Sequence, residues 1–164
     1  HTRYGTVTGV QTCALPIFPL AVGVGYAIRY REGDQVCLCF FGDSVVNIGS
    51  FHEAMNMAAR WRLPVVFLLE NNAYGMGTDI RRVAAAGELI ERACSYDGMG
   101  AITVDGMDVL AVRQATEEAI ARARSEKLPT YIEARCYSLD IISSYTNLYS
   151  LLIFVIFISL NFLF

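Results

Sequence analysis

Asp43 and Asn72, 29 positions apart, are the residues of this chain whose types and spacing point to chemistry. Each follows a short, almost wholly apolar run: VCLCFF (36–41) ends at Gly42-Asp43-Ser44, and VVFLL (65–69) ends at Glu70-Asn71-Asn72. Such runs read as strands covered on both faces. In an open parallel α/β sheet, ligands bind outside the carboxyl ends of the strands. A spacing of about 30 residues is one βαβ unit, which brings the two donors to neighbouring strand ends. A carboxylate, an amide oxygen and a nearby backbone carbonyl are hard ligands suited to Mg2+, which completes its shell with phosphate oxygens. The implied ligand is a diphosphate. An aspartate at one strand end, taken alone, reads first as a turn or helix-cap residue; the pair at this spacing favours binding.

The elements that must position these residues follow from periodicity. Ala21, Gly23, Gly25 and Ala27 predict a closely packed helix ending at the turn Arg31-Glu32-Gly33-Asp34. Ser50 and Glu53 make a capping-box pattern, with Phe51, Ala54, Met55 and Ala58 on the inward stripe and Leu63-Pro64 as the stop. After the second strand comes a glycine-bearing loop, AYGMGT. A helix over 88–94 is expected to turn Leu89, Ile90, Ala93 and Cys94 inward, and a third strand, AITV (101–104), ends at Asp105-Gly106. Asp108 is expected to cap a long helix to about Arg124, with Val112, Ala115, Ala119, Ile120 and Ala123 inward and Glu118 paired with Arg122. Pro129 precedes a fourth strand, TYIEA. This alternation predicts an α/β fold: a parallel sheet with helices on both faces.

Composition narrows the classes. At 164 residues the chain is one domain or part of one. A net charge of −3 supplies no basic patch for nucleic acid. Five cysteines (13, 37, 39, 94 and 136) show no CxxC or zinc spacing, which points to a reducing compartment, and Cys37 and Cys39 read as buried strand thiols. An apolar fraction of 54% and a mean hydropathy of +0.39 are high for a soluble domain, and the excess sits at the end, where Leu151 to Ile158 is unbroken apolar sequence. Between 18 and 137 nearly every cation is arginine, whereas YSLDIISSYTNLYSLLIFVIFISLNFLF has neither Lys nor Arg. Residues 138–164 are therefore expected to be an off-frame apolar tail. The rival is a membrane anchor, but Leu148 to Phe164 is 17 residues interrupted by Tyr149, Ser150, Ser159 and Asn161, without flanking cations. The opening HTRYGTVTGVQTCALPIF resembles a translated sequencing-adapter string, so residues 1–17 are expected to be a non-native head and 18–137 a partial domain.

The stretch GDSVVNIGSFHEAMNMAARWRLPVVFLLENNAYGMGT resembles the thiamine-diphosphate signature, a Gly-Asp-Gly followed after 26 residues by Asn-Asn. It is most similar to the alpha-subunit family of 2-oxo acid dehydrogenases of the pyruvate dehydrogenase (acetyl-transferring) type. PLAVGVGYAIRY before it and VDGMDVLAVRQATEEAIARA after it extend the likeness from Pro19 to Tyr137, roughly three quarters of the chain. The resemblance implies an incomplete thiamine-diphosphate-binding fold, with thiamine diphosphate and Mg2+ as cofactors. It places the metal ligands on Asp43, the Asn72 side chain and the Tyr74 backbone carbonyl, the diphosphate contacts on the Ser44 and Val45 backbone, and an aminopyrimidine contact on Phe18. It further implies oxidative decarboxylation of pyruvate with acyl transfer to a lipoyl group. The implied partners are a beta subunit, two alpha with two beta, which supplies the activating glutamate, and a lipoyl-bearing acyltransferase. The implied location is cytoplasmic in a bacterium, or the mitochondrial matrix in a eukaryote. The alternatives are the acetoin and branched-chain versions of the subunit, or a non-catalytic membrane-tethered module.

Departures from the pattern matter. The second motif glycine is Ser44, whose side chain crowds a place where backbone amides should approach a phosphate. Asn-Gln-Gly is Asn47-Ile48-Gly49, and after Glu133-Ala134-Arg135 the text reads Cys136-Tyr137-Ser138 and leaves the family, so the family's active-site histidine has no counterpart. Glu53 and Glu70 have local explanations, as capping-box member and strand-end residue. Gly23-Val24-Gly25 reads as helix packing and not a dinucleotide loop. His52 reads as a helix-surface or interface residue, and Met55, Met57 and Met76 as core and loop filling.

Overall fold

The computed structural model describes residues 17–75, 77–85 and 87–137. In chain order these form α1 (Ile17–Tyr30), β1 (Cys37–Gly42), a 3-10 turn (Asp43–Asn47), α2 (Gly49–Arg60), β2 (Val65–Asn71), β3 (Tyr74–Gly75), β4 (Thr78–Asp79), a second 3-10 turn (Ile80–Arg82), α3 (Glu91–Cys94), β5 (Gly100–Asp105), α4 (Val109–Ser125) and β6 (Thr130–Arg135). The readings of residues 1–16 and 138–164, and of Met76, lie outside the described residues.

Four strands make one all-parallel sheet in the order β1-β2-β6-β5, as the apolar runs and intervening helices require. The register sets Phe41 beside Leu69 and Leu69 beside Glu133. Period-two alternation then sorts the side chains. Cys39, Phe41, Phe67, Leu69 and Tyr131 face α1 and α2, joining Phe18, Phe51 and Met55 in the larger core. Val66, Leu68, Ile132 and Ala134 face the other way and meet Ala119 of α4. Helices thus cover both faces. Burial of each large side chain contributes roughly 1.5–3 kcal/mol, which makes the aromatic cluster under α1 and α2 a principal source of stability. There Phe18 meets Phe41 edge to face at 4.8 Å and Phe51 at 5.4 Å. At Gly25, α1 packs so closely that a Cβ would lie 2.5 Å from Val65 Cγ2, which explains that glycine; Gly23 faces open space.

Several local expectations are corrected. The capping box does not form: α2 begins at Gly49 with Ile48 as its cap and no side-chain cap bond, because the 3-10 turn uses the residues just before and places Ser50 inside the first turn. Arg122 does not turn back to Glu118. It reaches Glu126 at 3.4 Å and donates to Pro129 O at 2.7 Å and Gly98 O at 3.0 Å, drawn by carbonyls at the start of β6 and before β5. The helix over 88–94 is confined to Glu91–Cys94, and Cys94 is exposed. AYGMGT carries the small antiparallel pair β3-β4. Cys39 is buried as expected and Cys37 half-buried. His52 sits exposed on α2. No described helix is long and apolar enough to cross a membrane.

Asp108 caps α4 as expected, its Oδ1 accepting from Leu110 N at 2.9 Å and Ala111 N at 3.2 Å. Replacing it with alanine leaves those amides without a partner and costs about 1 kcal/mol. In a domain of this size that is a fall of about 2–4 °C in Tm. An unchanged melt of Asp108→Ala would show that water substitutes fully for the cap.

Candidate functional site

In a parallel sheet every strand delivers its carboxyl end to the same edge, and here that edge collects Asp43, Asn72, Asp105 and Cys136. Asp43 opens the 3-10 turn directly after β1 and is only 2% exposed. Ser44 Oγ donates to its Oδ1 at 3.4 Å, while Oδ2 is buried with no hydrogen-bond partner. Burial pushes the Asp43 carboxyl above its ordinary range, opposed by hydrogen bonds from Ser44 and from the Ala73 backbone amide.

That turn has a defined shape. Asn71 Oδ1 accepts from Ala73 N at 3.0 Å, and Asn72 Oδ1 accepts from Tyr74 N at 2.9 Å, so two asparagines in succession bond their own backbone two residues on. Between them Ala73 adopts φ 67°, the left-handed region. Asn72 is half-buried and keeps a second lone pair on Oδ1. Tyr74 is 38% exposed and opens β3. The 3-10 turn contacts β1, β2 and β3, and a Cβ built on Gly75 would fall 2.1 Å from Ser44 Oγ and 3.0 Å from Ser44 Cβ. Asp43, Ser44, Asn72 and Tyr74 are therefore brought together from the ends of neighbouring strands. Val45 is half-buried on the same turn. Phe18 is placed differently: its ring is fully buried in the aromatic core of the sheet.

Three residues of this region escaped sequence reasoning. Arg92 of α3 donates to Val46 O and, at 2.8 Å, to Asn47 Oδ1, clamping the far end of the 3-10 turn. Glu133, fully buried on β6, accepts from Asn71 Nδ2 at 2.6 Å. Gly75 lies so close to Ser44 that a Cβ there would displace the serine hydroxyl. Each acts on a partner 31 to 62 positions away, so no local spacing signals it. Among the described residues no group of three or more His, Cys, Asp or Glu side chains is placed to hold a metal. The donors where the two turns meet are instead the Asp43 carboxylate, the Asn72 amide oxygen and backbone carbonyls, and the unanswered Oδ2 of Asp43 fits a cation. Nearby, burial pushes the Glu70 carboxyl up to about 7 and the Cys136 thiol up to about 11.

The sequence profile described as "Dehydrogenase E1 component" matches residues 3–140. The chain belongs to the dehydrogenase E1 component family. Among curated relatives it is 48% identical over 119 residues to the mitochondrial pyruvate dehydrogenase E1 component subunit alpha of Sminthopsis macroura, an alignment covering 73% of this chain and 32% of that protein. It is 48% identical over 120 residues to the alpha subunit of acetoin:2,6-dichlorophenolindophenol oxidoreductase of Bacillus subtilis, covering 73% and 36%. Against the pyruvate dehydrogenase E1 component subunit alpha of Rhizobium meliloti it is 44% identical over 118 residues, covering 72% and 34%. The chain spans about a third of the length of these relatives. Among solved structures, the Campylobacter jejuni transketolase aligns with a TM-score of 0.62 at 20% identity, covering 70% of this chain and 18% of that one. The thiamine diphosphate-dependent 4-hydroxybenzoylformate decarboxylase of Rhodococcus jostii RHA1 aligns at 0.50 and 23%, covering 73% and 22%. These likenesses carry the fold, and the E1 component sequence match carries the family.

The contact between Ser44 and Gly75 is testable. Gly75→Ala forces its methyl against Ser44 and costs about 1–3 kcal/mol, as overpacking does. Ser44→Gly, the glycine of the thiamine-diphosphate signature, removes the obstacle, so the double variant recovers most of that loss. A thermal-melt mutant cycle reads the coupling. Strictly additive effects would mean the two residues do not touch in solution.

Proposed function

We propose that this chain holds the Mg2+–diphosphate end of thiamine diphosphate in the alpha subunit of a pyruvate dehydrogenase (acetyl-transferring). The observation that carries the reading is the buried, unpartnered Oδ2 of Asp43 beside the Asn72 turn, at the carboxyl edge of a parallel sheet. A desolvated carboxylate oxygen without a donor is costly unless a cation answers it. In this reading Asp43, the free lone pair of Asn72 Oδ1 and the Tyr74 carbonyl hold the metal, as three protein oxygens that leave room for phosphate. Backbone amides of Ser44 and Val45 face the diphosphate, on a turn whose entry, Gly42 and Ser44, is exposed. Phe18 enters through its backbone and through the aromatic packing that seats α1 against β1, since its ring is spent in the core. The cofactor supplies the electron sink for decarboxylating a 2-oxo acid, and the protein anchors and orients it.

The partners follow the family resemblance: a beta subunit, two alpha with two beta, supplying the activating glutamate, and a lipoyl-bearing acyltransferase that receives the acyl unit from pyruvate. The compartment is the bacterial cytoplasm or the mitochondrial matrix, since the relatives include both bacterial and mitochondrial proteins. A second reading, an acetoin-specific alpha subunit, is favoured by the 48% identity to the Bacillus subtilis protein. In a complex assembled with a beta subunit, the ratio of kcat/KM for pyruvate and for acetoin separates the two.

Titration of thiamine diphosphate into the chain tests the metal site. Binding weaker than micromolar is expected, dependent on Mg2+, abolished by EDTA and abolished by Asp43→Ala. Affinity undiminished in Asp43→Ala, or insensitive to EDTA, would overturn the assignment.

A further inference from the structure

We propose that Glu133 is a positioning residue: by accepting from Asn71 it fixes which way that amide points, and the orientation holds the Asn72–Tyr74 turn in its ligand-presenting shape. The proposal rests on the metal reading of that turn and names a residue on a different strand that the reading depends on.

Glu133 is 0% exposed, in the middle of β6, with Leu69 on one side and Thr103 on the other. Its Oε1 accepts from Asn71 Nδ2 at 2.6 Å and from Arg135 Nε at 3.3 Å, and its Oε2 has no hydrogen-bond partner. Arg135 is itself paired with Glu88. Removing a buried carboxylate alone leaves its donors, here Asn71 Nδ2 and Arg135 Nε, short of an acceptor, so the change costs stability as well as direction. The direction comes from the chemistry of the acceptor. A carboxylate has no hydrogen to give, so only the NH2 side of the Asn71 amide can face it. Oδ1 is thereby turned to the opposite side, where it accepts from Ala73 N at 3.0 Å. That bond supports Ala73 at φ 67°, a conformation that a residue with a Cβ adopts only at some cost. The next residue repeats the arrangement, with Asn72 Oδ1 taking Tyr74 N–H. The backbone of Asn71 is pinned from the same strand, its carbonyl accepting from Cys136 N at 2.9 Å. With the Asn71 amide free to turn over, its NH2 group would face the Ala73 N–H, donor against donor, and the turn would open.

The measurement is amide hydrogen exchange over residues 70–75 in the full 164-residue chain, without metal or cofactor. Glu133→Met keeps the volume and removes the acceptor; exchange at Ala73 should quicken about tenfold, the factor that losing roughly 1.4 kcal/mol of hydrogen-bond energy gives, and the quickening should be concentrated at residues 71–74. Glu133→Gln keeps an acceptor oxygen at the same place and should leave exchange near that of the parent. Asn71→Ala should match Glu133→Met, and the double variant should be no faster than either single change. Unchanged exchange in Glu133→Met and Asn71→Ala would overturn the proposal. So would additive effects, or a Glu133→Met effect spread evenly along β6 and not concentrated at the turn, which is what a packing role alone produces. If Glu133→Met does not fold, Glu133→Leu takes its place with the same expectation and the same overturning result. Because no cofactor is used, failure here is separate from failure of the metal site. A turn that behaves as expected in a chain that binds no Mg2+–thiamine diphosphate would sink only the latter.

Discussion

A parallel sheet cannot choose where its loops go: all four strands release their chains at one edge, and that single constraint organises everything else at the site. Asp43 and Asn72 need no special motif to meet, because β1 and β2 are hydrogen-bonded neighbours in register from Cys37 with Val65 to Gly42 with Glu70. What the sheet cannot do is set a side-chain oxygen to within a fraction of an ångström. That task falls to the 3-10 turn and to the paired asparagine turn, which meet where Ser44 abuts Gly75. Placing a carboxylate there with one oxygen unanswered raises its energy in the unliganded protein. In the proposed reading, the same arrangement pre-organises it for a cation.

The scaffold was largely legible from the sequence because it depends on periodicity and composition, which are local. The apolar runs at 36–41 and 65–69 predicted β1 and β2 to within a residue or two, and Asp108 with the stripe from Val112 to Ala123 predicted α4 and its cap. Local signals misled where a tertiary partner outbid a near neighbour. The serine and glutamate of the supposed capping box were in the right pattern, but the 3-10 turn moved the helix start ahead of Ser50. Arg122 had a glutamate one turn earlier, yet carbonyls of Gly98 and Pro129 took its guanidinium forward. Of the site, the ligand candidates were visible as residue types at strand ends. Glu133 and Arg92 were not, since nothing within a helical turn or a strand of either one hints at Asn71 or Asn47.

Ser44 marks a compromise between the two turns. Glycine at this place would let backbone amides approach a diphosphate without obstruction. The hydroxyl instead reaches back to Asp43 Oδ1 and fills the space against Gly75. Ser44 thus partly answers the Asp43 charge while narrowing the entry beside it. In the proposed reading, the side chain that steadies the Asp43 carboxylate also stands close to the path of a phosphate.

The residues that hold the ligand turns come from the later part of the chain. Arg92 secures the end of the 3-10 turn through Val46 and Asn47, and Glu133 secures the asparagine turn through Asn71. The site's geometry thus depends on β6, which lies between β2 and β5, and on α3 as well as on the β1–β2 pair that carries the ligand candidates. Insertion of β6 is also what buries Glu133 and Tyr131, whose hydroxyl is likewise without a hydrogen-bond partner and whose ionisation burial pushes upward, with Glu133 adding to it. The polar cost at the centre of the sheet and the precision at its edge thus have one origin. A carboxylate on β6 is kept in the core because an apolar residue there, though easier to bury, would leave Asn71 free to turn over.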